Sequence, residues 1–143
     1  MQKDLKLFGK DYIGWMSITI GLVYIWFGAL KFFPEMSPAE ELASETISIL
    51  TFGVLHGRLA LILLAIWEFV IGVTFVMEYH RKWNVGLALV HIIGTFLPYI
   101  LLFGLCFKEE PLQFTIVGQY IFKNILFLVV MLYIWNNLKY TNA

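Results

Sequence analysis

Long apolar stretches separated by short polar connections make up most of this 143-residue chain. Four of them are long enough to cross a bilayer as helices, which requires about 20 predominantly apolar residues at about 1.5 Å of rise each. They cover residues 12–30, 59–77, 83–107 and 111–138. The first contains no Asp, Glu, Lys, Arg or His, whereas the others each contain one such side chain: Glu68, His91 and Lys123. This pattern predicts a small multi-pass membrane protein whose function lies with the few polar groups inside its spans.

The connections between the stretches predict how the helices are arranged. Residues 79–83 and 108–111 are short connections, so the spans that they join should be antiparallel neighbours. The longer connection 32–57 carries a helix start signal, with Ser37 as N-cap and Glu40 closing a capping box. That outer helix either lies along the outer membrane surface, dips back into the bundle, or is a solvated connection.

We therefore predict an all-α membrane protein, an antiparallel bundle of four transmembrane helices with one short extracytoplasmic amphipathic helix. Residues 1–143 form a single domain. The predicted spans are about 12–32, 58–78, 84–106 and 113–137, and the outer helix covers about 38–52.

The composition supports a membrane protein and narrows its chemistry. Hydrophobic residues make up 60% of the chain and charged residues 14%, against about 45–50% and 25% in soluble domains. No basic tract is present, so nothing predicts a nucleic acid partner. Cys106 is the only cysteine, which excludes an intrachain disulfide and an iron–sulfur cluster held by this chain alone. Its apolar neighbours predict a packing role.

Basic residues flank the spans unevenly, and this asymmetry predicts the orientation in the membrane. One side receives Lys3, Lys6, Lys10, Arg81, Lys82 and Lys139. The other side receives only Lys31, Arg58 and Lys108. Both termini are therefore expected in the cytoplasm. The first stretch is expected to remain as a span, because it is long for a secretory signal and no small-residue cleavage site follows it.

Glycines recur on one face of the first span. Gly14, Gly21 and Gly28 are seven residues apart, and Ala65 and Gly72 have the same spacing in the second span. Small residues allow helix backbones to approach closely in lipid. We expect packing within the bundle, with a homodimer seam as the alternative.

The opposite charges inside the spans are expected to face each other. An unpaired charge at the bilayer centre costs at least about 2.5–3.5 kcal/mol on insertion scales. We therefore predict that Glu68 and Lys123 meet in the bundle interior. The polar side chains expected around them are His91, Thr95, Gln119 and Asn124. Two interpretations stay open: a site for a small molecule or a proton, and a polar latch that only sets the helix register.

Lys31 completes the set of candidate ligand-binding residues, although a lysine at a helix end more often anchors the chain at the membrane surface. Familiar metal and cofactor sites are not predicted. His56 and His91 lie too far apart along the membrane normal to share a haem, His80 lies on the inner surface, and a lone His beside one carboxylate is weak support for a metal. No motif identifies catalytic residues.

Several segments resemble a known family of membrane proteins. FGALKFFP at 27–34, followed by SPAE at 37–40, resembles the GxxKF-type start of DoxX-like proteins. LTFG at 50–53, HIIGTFLP at 91–98 and TIVGQYIFKN at 115–124 fit the same group in the same order. The resemblance implies a four-helix bundle in a bacterial cytoplasmic membrane. Its motifs include every candidate site residue except Glu68.

The resemblance implies two kinds of function. DoxD-like members are similar to the membrane subunit of a thiosulfate:quinone oxidoreductase, which suggests a redox-linked subunit that binds a quinone or a small anion without a covalent cofactor. The aromatic side chains available to hold a quinone ring are Trp26, Trp67, Phe96 and Tyr120. Because the chain has no electron carrier of its own, that role requires other subunits. The alternative is a non-catalytic scaffold or accessory subunit, or a homo-oligomer, whose ion pair is structural. Proton-coupled transport is disfavoured because the two halves lack repeat architecture.

Overall fold

A computed structural model describes residues 12–79, 82–108 and 113–141, with side chains described as far as residue 138. These ranges form eight helices and no β-strand beyond an isolated bridge between Phe107 and Phe114. The helices are α1 (Tyr12–Leu30), α2 (Glu40–Leu50), α3 (Gly57–Val76), α4 (Lys82–Gly94), α5 (Pro98–Leu101), α6 (Phe103–Cys106), α7 (Ile116–Phe122) and α8 (Asn124–Thr141). Lys3, Lys6, Lys10, His80, Arg81, Glu109 and Glu110 lie outside the described residues, as does the side chain of Lys139.

Four helical segments are long and apolar enough to cross a membrane, as predicted. They are Tyr12–Leu30, Gly57–Val76, Lys82–Leu101 and Ile116–Leu138. The third and fourth are not the continuous helices that the sequence predicted. A turn at 95–97 separates α4 from α5, and a turn at Lys123 separates α7 from α8. Pro98 lacks the amide proton that a continuous helix would use, which accounts for the first of these interruptions.

The glycine face of α1 packs against α3 within the same chain, which confirms the first of the two expectations for it. A Cβ atom added at Gly21 would lie 2.6 Å from the carbonyl oxygen of Gly72. One added at Gly28 would lie 3.2 Å from the carbonyl oxygen of Ala65, and one at Gly14 would meet the carboxylate of Glu78. Backbone therefore lies directly on backbone along this pair of helices.

The second extensive helix contact joins α4 to α8, and the core lies between the two pairs. Tyr24 and Phe75 from one pair meet Val85 and Met131 from the other, and all four are buried. At the connection between α3 and α4, the side-chain amide of Asn84 donates a hydrogen bond to the carbonyl oxygen of Tyr79 at 2.7 Å, which fixes the start of α4.

The connection after α1 differs from its prediction at both ends. Its helix begins at Glu40 with Ala39 at the N-cap position, and no side chain caps it. The predicted capping box is therefore wrong: Glu40 Oε2 accepts a hydrogen bond from the backbone nitrogen of Glu35 instead, at 3.0 Å. The helix ends at Leu50, two residues earlier than predicted. It packs on α3 and α5, and its Leu42 is buried in a cluster with Cys106 and Ile121.

Candidate functional site

A cavity of about 550 Å³ lies at the end of the bundle that α2 covers. Its volume is within the usual range for small-molecule sites, roughly 300–1,000 Å³. Apolar side chains such as Val23, Leu64 and Ile121 form most of its wall. The candidate residues that line it are Lys31, Glu68, His91, Thr95, Lys123 and Asn124. Six of the seven residues selected from the sequence therefore share one cavity.

The charge pair at this cavity joins Lys31 to Glu68, not Lys123 to Glu68 as predicted. The Nζ atom of Lys31 donates to Glu68 Oε2 at 2.7 Å, and both side chains are buried. The same Nζ lies 3.3 Å from the carbonyl oxygen of Phe27, one turn back along α1. Side chains on a helix lean toward its N-terminus, so Lys31 turns back into the protein. The expectation that it anchors the chain at the membrane surface is wrong.

His91 extends this pair into a chain of polar contacts. Its Nε2 atom lies 3.3 Å from Glu68 Oε1, and its Nδ1 atom lies 3.0 Å from the hydroxyl oxygen of Tyr24. A neutral imidazole satisfies both partners, donating from Nε2 to the carboxylate and accepting the Tyr24 hydroxyl at Nδ1. Lys31 and Glu68 then balance each other. The edge contact between His91 and Trp67, with ring centroids 5.7 Å apart, holds the imidazole from another side.

Lys123 lies apart from these buried groups, at the rim of the cavity. It occupies the turn between α7 and α8, and its side chain is exposed. Its Nζ atom lies 4.3 Å from the ring centroid of Tyr120 and 4.9 Å from that of Phe27. Among the described residues, no carboxylate lies within 4.0 Å of it. The predicted partner, Glu68, is already held by Lys31 and His91.

Thr95 and Asn124 form a second polar contact on the cavity wall. The Asn124 amide donates to Thr95 Oγ1 at 3.0 Å, and the hydroxyl of Thr95 donates to the carbonyl oxygen of Ile92 at 2.6 Å. This bond links the end of α4 to the start of α8. Gln119 does not join the group: its side chain is exposed and does not line the cavity. The predicted role of Gln119 in the polar cluster is therefore not supported by its position.

Tyr24 also belongs to the site, since its hydroxyl contacts His91 and it lines the cavity, although the sequence did not identify it as a candidate. A buried tyrosine usually places its hydroxyl on a partner, and Tyr24 is buried in a span that contains no charged residue. Burial of a tyrosine hydroxyl in a span is therefore the signal from which Tyr24 could have been predicted. Of the four aromatic residues considered for a quinone ring, Trp67 and Tyr120 line the cavity, whereas Trp26 and Phe96 do not.

The site supplies hydrogen bonds and charge, set in an apolar enclosure. Within the residues described, no group of three or more His, Cys, Asp or Glu side chains is placed to hold a metal ion. Cys106 is buried against Leu42 and Ile121, away from this polar chain. An apolar molecule with one or two acceptor oxygens would fit this chemistry, since Lys123 offers N–H donors beside aromatic walls.

No protein-family model matches the chain, and comparisons with curated proteins and with solved structures find no match. The resemblance to DoxX-like proteins is therefore carried by its short motifs alone.

Proposed function

We propose that this chain is a multi-pass membrane protein that binds a lipophilic molecule with acceptor oxygens in the cavity beneath α2. The observation that carries the proposal is the convergence of six sequence-selected polar residues on one largely apolar cavity. Polar groups within membrane spans are costly, so their concentration around an open volume favours a ligand site over scattered structural contacts.

A quinone is the first candidate ligand, and a small anion is the second. The Lys123 ammonium group would donate to a quinone carbonyl, and Trp67 and Tyr120, which line the cavity, would contact its ring. The chain would serve as the membrane subunit of a quinone-linked oxidoreductase, in keeping with the DoxX-like resemblance. Electron transfer would then require a partner subunit, because the ligand site by itself supplies only binding and hydrogen bonds.

The orientation that we propose places α2 outside the cytoplasm and both termini inside it, in a bacterial inner membrane. The basic residues that flank the predicted spans support this side assignment. In that arrangement the four spans run antiparallel, and α2 lies along the outer membrane boundary with Glu41 and Glu45 exposed. The cavity would open near the outer half of the bilayer.

Tryptophan fluorescence tests the ligand site directly. A short-chain quinone added to the protein in phosphatidylcholine vesicles should quench Trp67 with a saturable dependence on concentration. The matched control is Trp67→Phe, in which the saturable component should disappear and only linear quenching of the other tryptophans should remain. Equal quenching curves for the parent and this variant would overturn the proposal.

A scaffold role is the second candidate function. It is favoured by the completeness of the Lys31–Glu68 pair, which needs no ligand to balance its charges and joins α1 to α3. If this pair is only a latch, the double variant Lys31→Met/Glu68→Gln should assemble and support membrane redox activity as well as the parent does. Loss of quinone-dependent dye reduction in membranes, with the folded protein still present, would favour the ligand site.

A further inference from the structure

A second apolar volume of about 430 Å³ lies between α1 and α8, on the far side of Lys123 from the first cavity. Trp15 and Ile20 of α1 and Leu126 and Val130 of α8 contribute to its walls. Lys123 and Phe127 line both volumes. The ammonium group therefore stands at the junction between a cavity and a groove, and we call this second volume the α1–α8 groove.

The charges around the cavity do not balance. Among the residues that the structure describes, the charged side chains that line it are Lys31, Glu68 and Lys123. Lys31 and Glu68 neutralise each other at 2.7 Å, and the contacts of His91 are satisfied by a neutral ring. One positive charge is left over, on Lys123, beside aromatic rings and apolar walls. A single negative charge on a ligand would complete the balance at this depth in the span, where lipid and not water would surround the exposed side chain.

We propose that the site binds a long-chain carboxylate, with its head group paired to Lys123 and its hydrocarbon chain along the α1–α8 groove. This inference rests on the proposed function only in taking the cavity as a ligand site. It adds the charge of the head group and the course of the chain. From Lys123 to Val130 the groove follows about 10 Å of helix, which accommodates a substantial hydrocarbon segment.

The depth of Lys123 favours a single-chain acid over a phospholipid. Lys123 lies seven residues inside the span Ile116–Leu138, or about 10 Å from its end. A carboxylate is small enough to follow a chain to that depth, whereas a phosphodiester head group with its glycerol and second chain belongs at the membrane surface. A neutral quinone could accept a hydrogen bond here but would leave the positive charge uncompensated.

Paired probes that differ only in charge test this inference. The protein in phosphatidylcholine vesicles at alkaline pH is titrated with stearate brominated at mid-chain, and separately with the methyl ester of the same acid. Bromine quenches nearby tryptophan, and Trp15 lines the groove. We expect saturable quenching by the acid and only linear, partition-limited quenching by the ester. A variant that keeps Trp15 and replaces Trp26, Trp67, Trp83 and Trp135 by Phe locates the chain.

Substitutions at Lys123 test whether its charge is what binds the carboxylate. Lys123→Met should weaken binding of the acid by about tenfold or more, as expected for loss of a charge-assisted contact, and Lys123→Arg should retain it. Equal saturable binding of acid and ester, or unchanged binding of the acid by Lys123→Met, would overturn the inference. Absence of saturable acid binding would also overturn it. If the quinone still quenches Trp67 in that case, the proposed function stands alone; if neither probe binds, both fail.

Discussion

The ammonium group of Lys31 lies 2.7 Å from the carboxylate of Glu68, although Lys31 directly follows α1 and Glu68 lies in the middle of α3. The register of the two helices explains this contact. Gly28 lies against Ala65, so α3 continues for about two turns beyond that level while α1 ends almost at once. A residue at the end of one helix thereby meets the centre of the other.

Breaking this pair on one side should destabilise the protein strongly. Lys31→Met leaves the Glu68 carboxylate buried with only His91 beside it, and removal of one member of a buried pair typically costs about 3–5 kcal/mol. We expect a large fall in the midpoint of thermal unfolding in detergent. The double variant Lys31→Met/Glu68→Gln should recover much of the loss. Lys123→Met is the control and should leave the midpoint unchanged or higher, so an equal loss there would contradict the assignment.

The two contacts of His91 predict which substitution at this site lowers stability more. Tyr24→Phe removes one neutral hydrogen bond and should lower the free energy of unfolding by about 1 kcal/mol. His91→Phe should cost more, because it leaves both the Tyr24 hydroxyl and Glu68 Oε1 without this partner. Chemical or thermal unfolding in detergent measures both. A larger loss in Tyr24→Phe than in His91→Phe would show that His91 does not connect the Tyr24 hydroxyl to the Glu68 carboxylate.

The crossing of α1 and α3 should tolerate no added methyl group. In Gly21→Ala the new Cβ would lie 2.6 Å from the carbonyl oxygen of Gly72, which forces the backbones apart. We expect a loss of about 1–3 kcal/mol, typical of overpacking. Gly104→Ala is the matched control, since nothing lies within 4 Å of its added Cβ. Similar unfolding midpoints for the two variants would contradict the close crossing.

The proposed orientation can be tested by cysteine labelling in intact cells. Cys106 is buried and should give no background with a membrane-impermeant maleimide. Glu41→Cys, on the exposed side of α2, should react from outside the cell. Lys82→Cys, at the exposed start of α4, should react only after permeabilisation. The opposite pattern would reverse the orientation in the membrane.

The sequence was sufficient for the location of the four apolar spans and for six polar residues of the cavity, because hydropathy and isolated polar residues are properties of one chain position at a time. It was not sufficient for the pairing of Glu68. Both Lys31 and Lys123 have a side chain long enough to reach a neighbouring helix, and the choice depends on helix register and side-chain direction. The interruptions at Lys123 and before Pro98 were not predicted either. The seven-residue spacing of the glycines did predict the close packing of α1 on α3.

The uneven helix packing has a consequence for how a ligand would arrive. α1 packs extensively on α3, and α4 packs on α8, whereas α1 and α8, like α3 and α4, contact each other only slightly. Both volumes that Lys123 lines lie along this weakly closed seam. For the proposed ligand, this arrangement predicts entry from among the lipid tails, between the α1–α3 pair and the α4–α8 pair, without passage through water on either face.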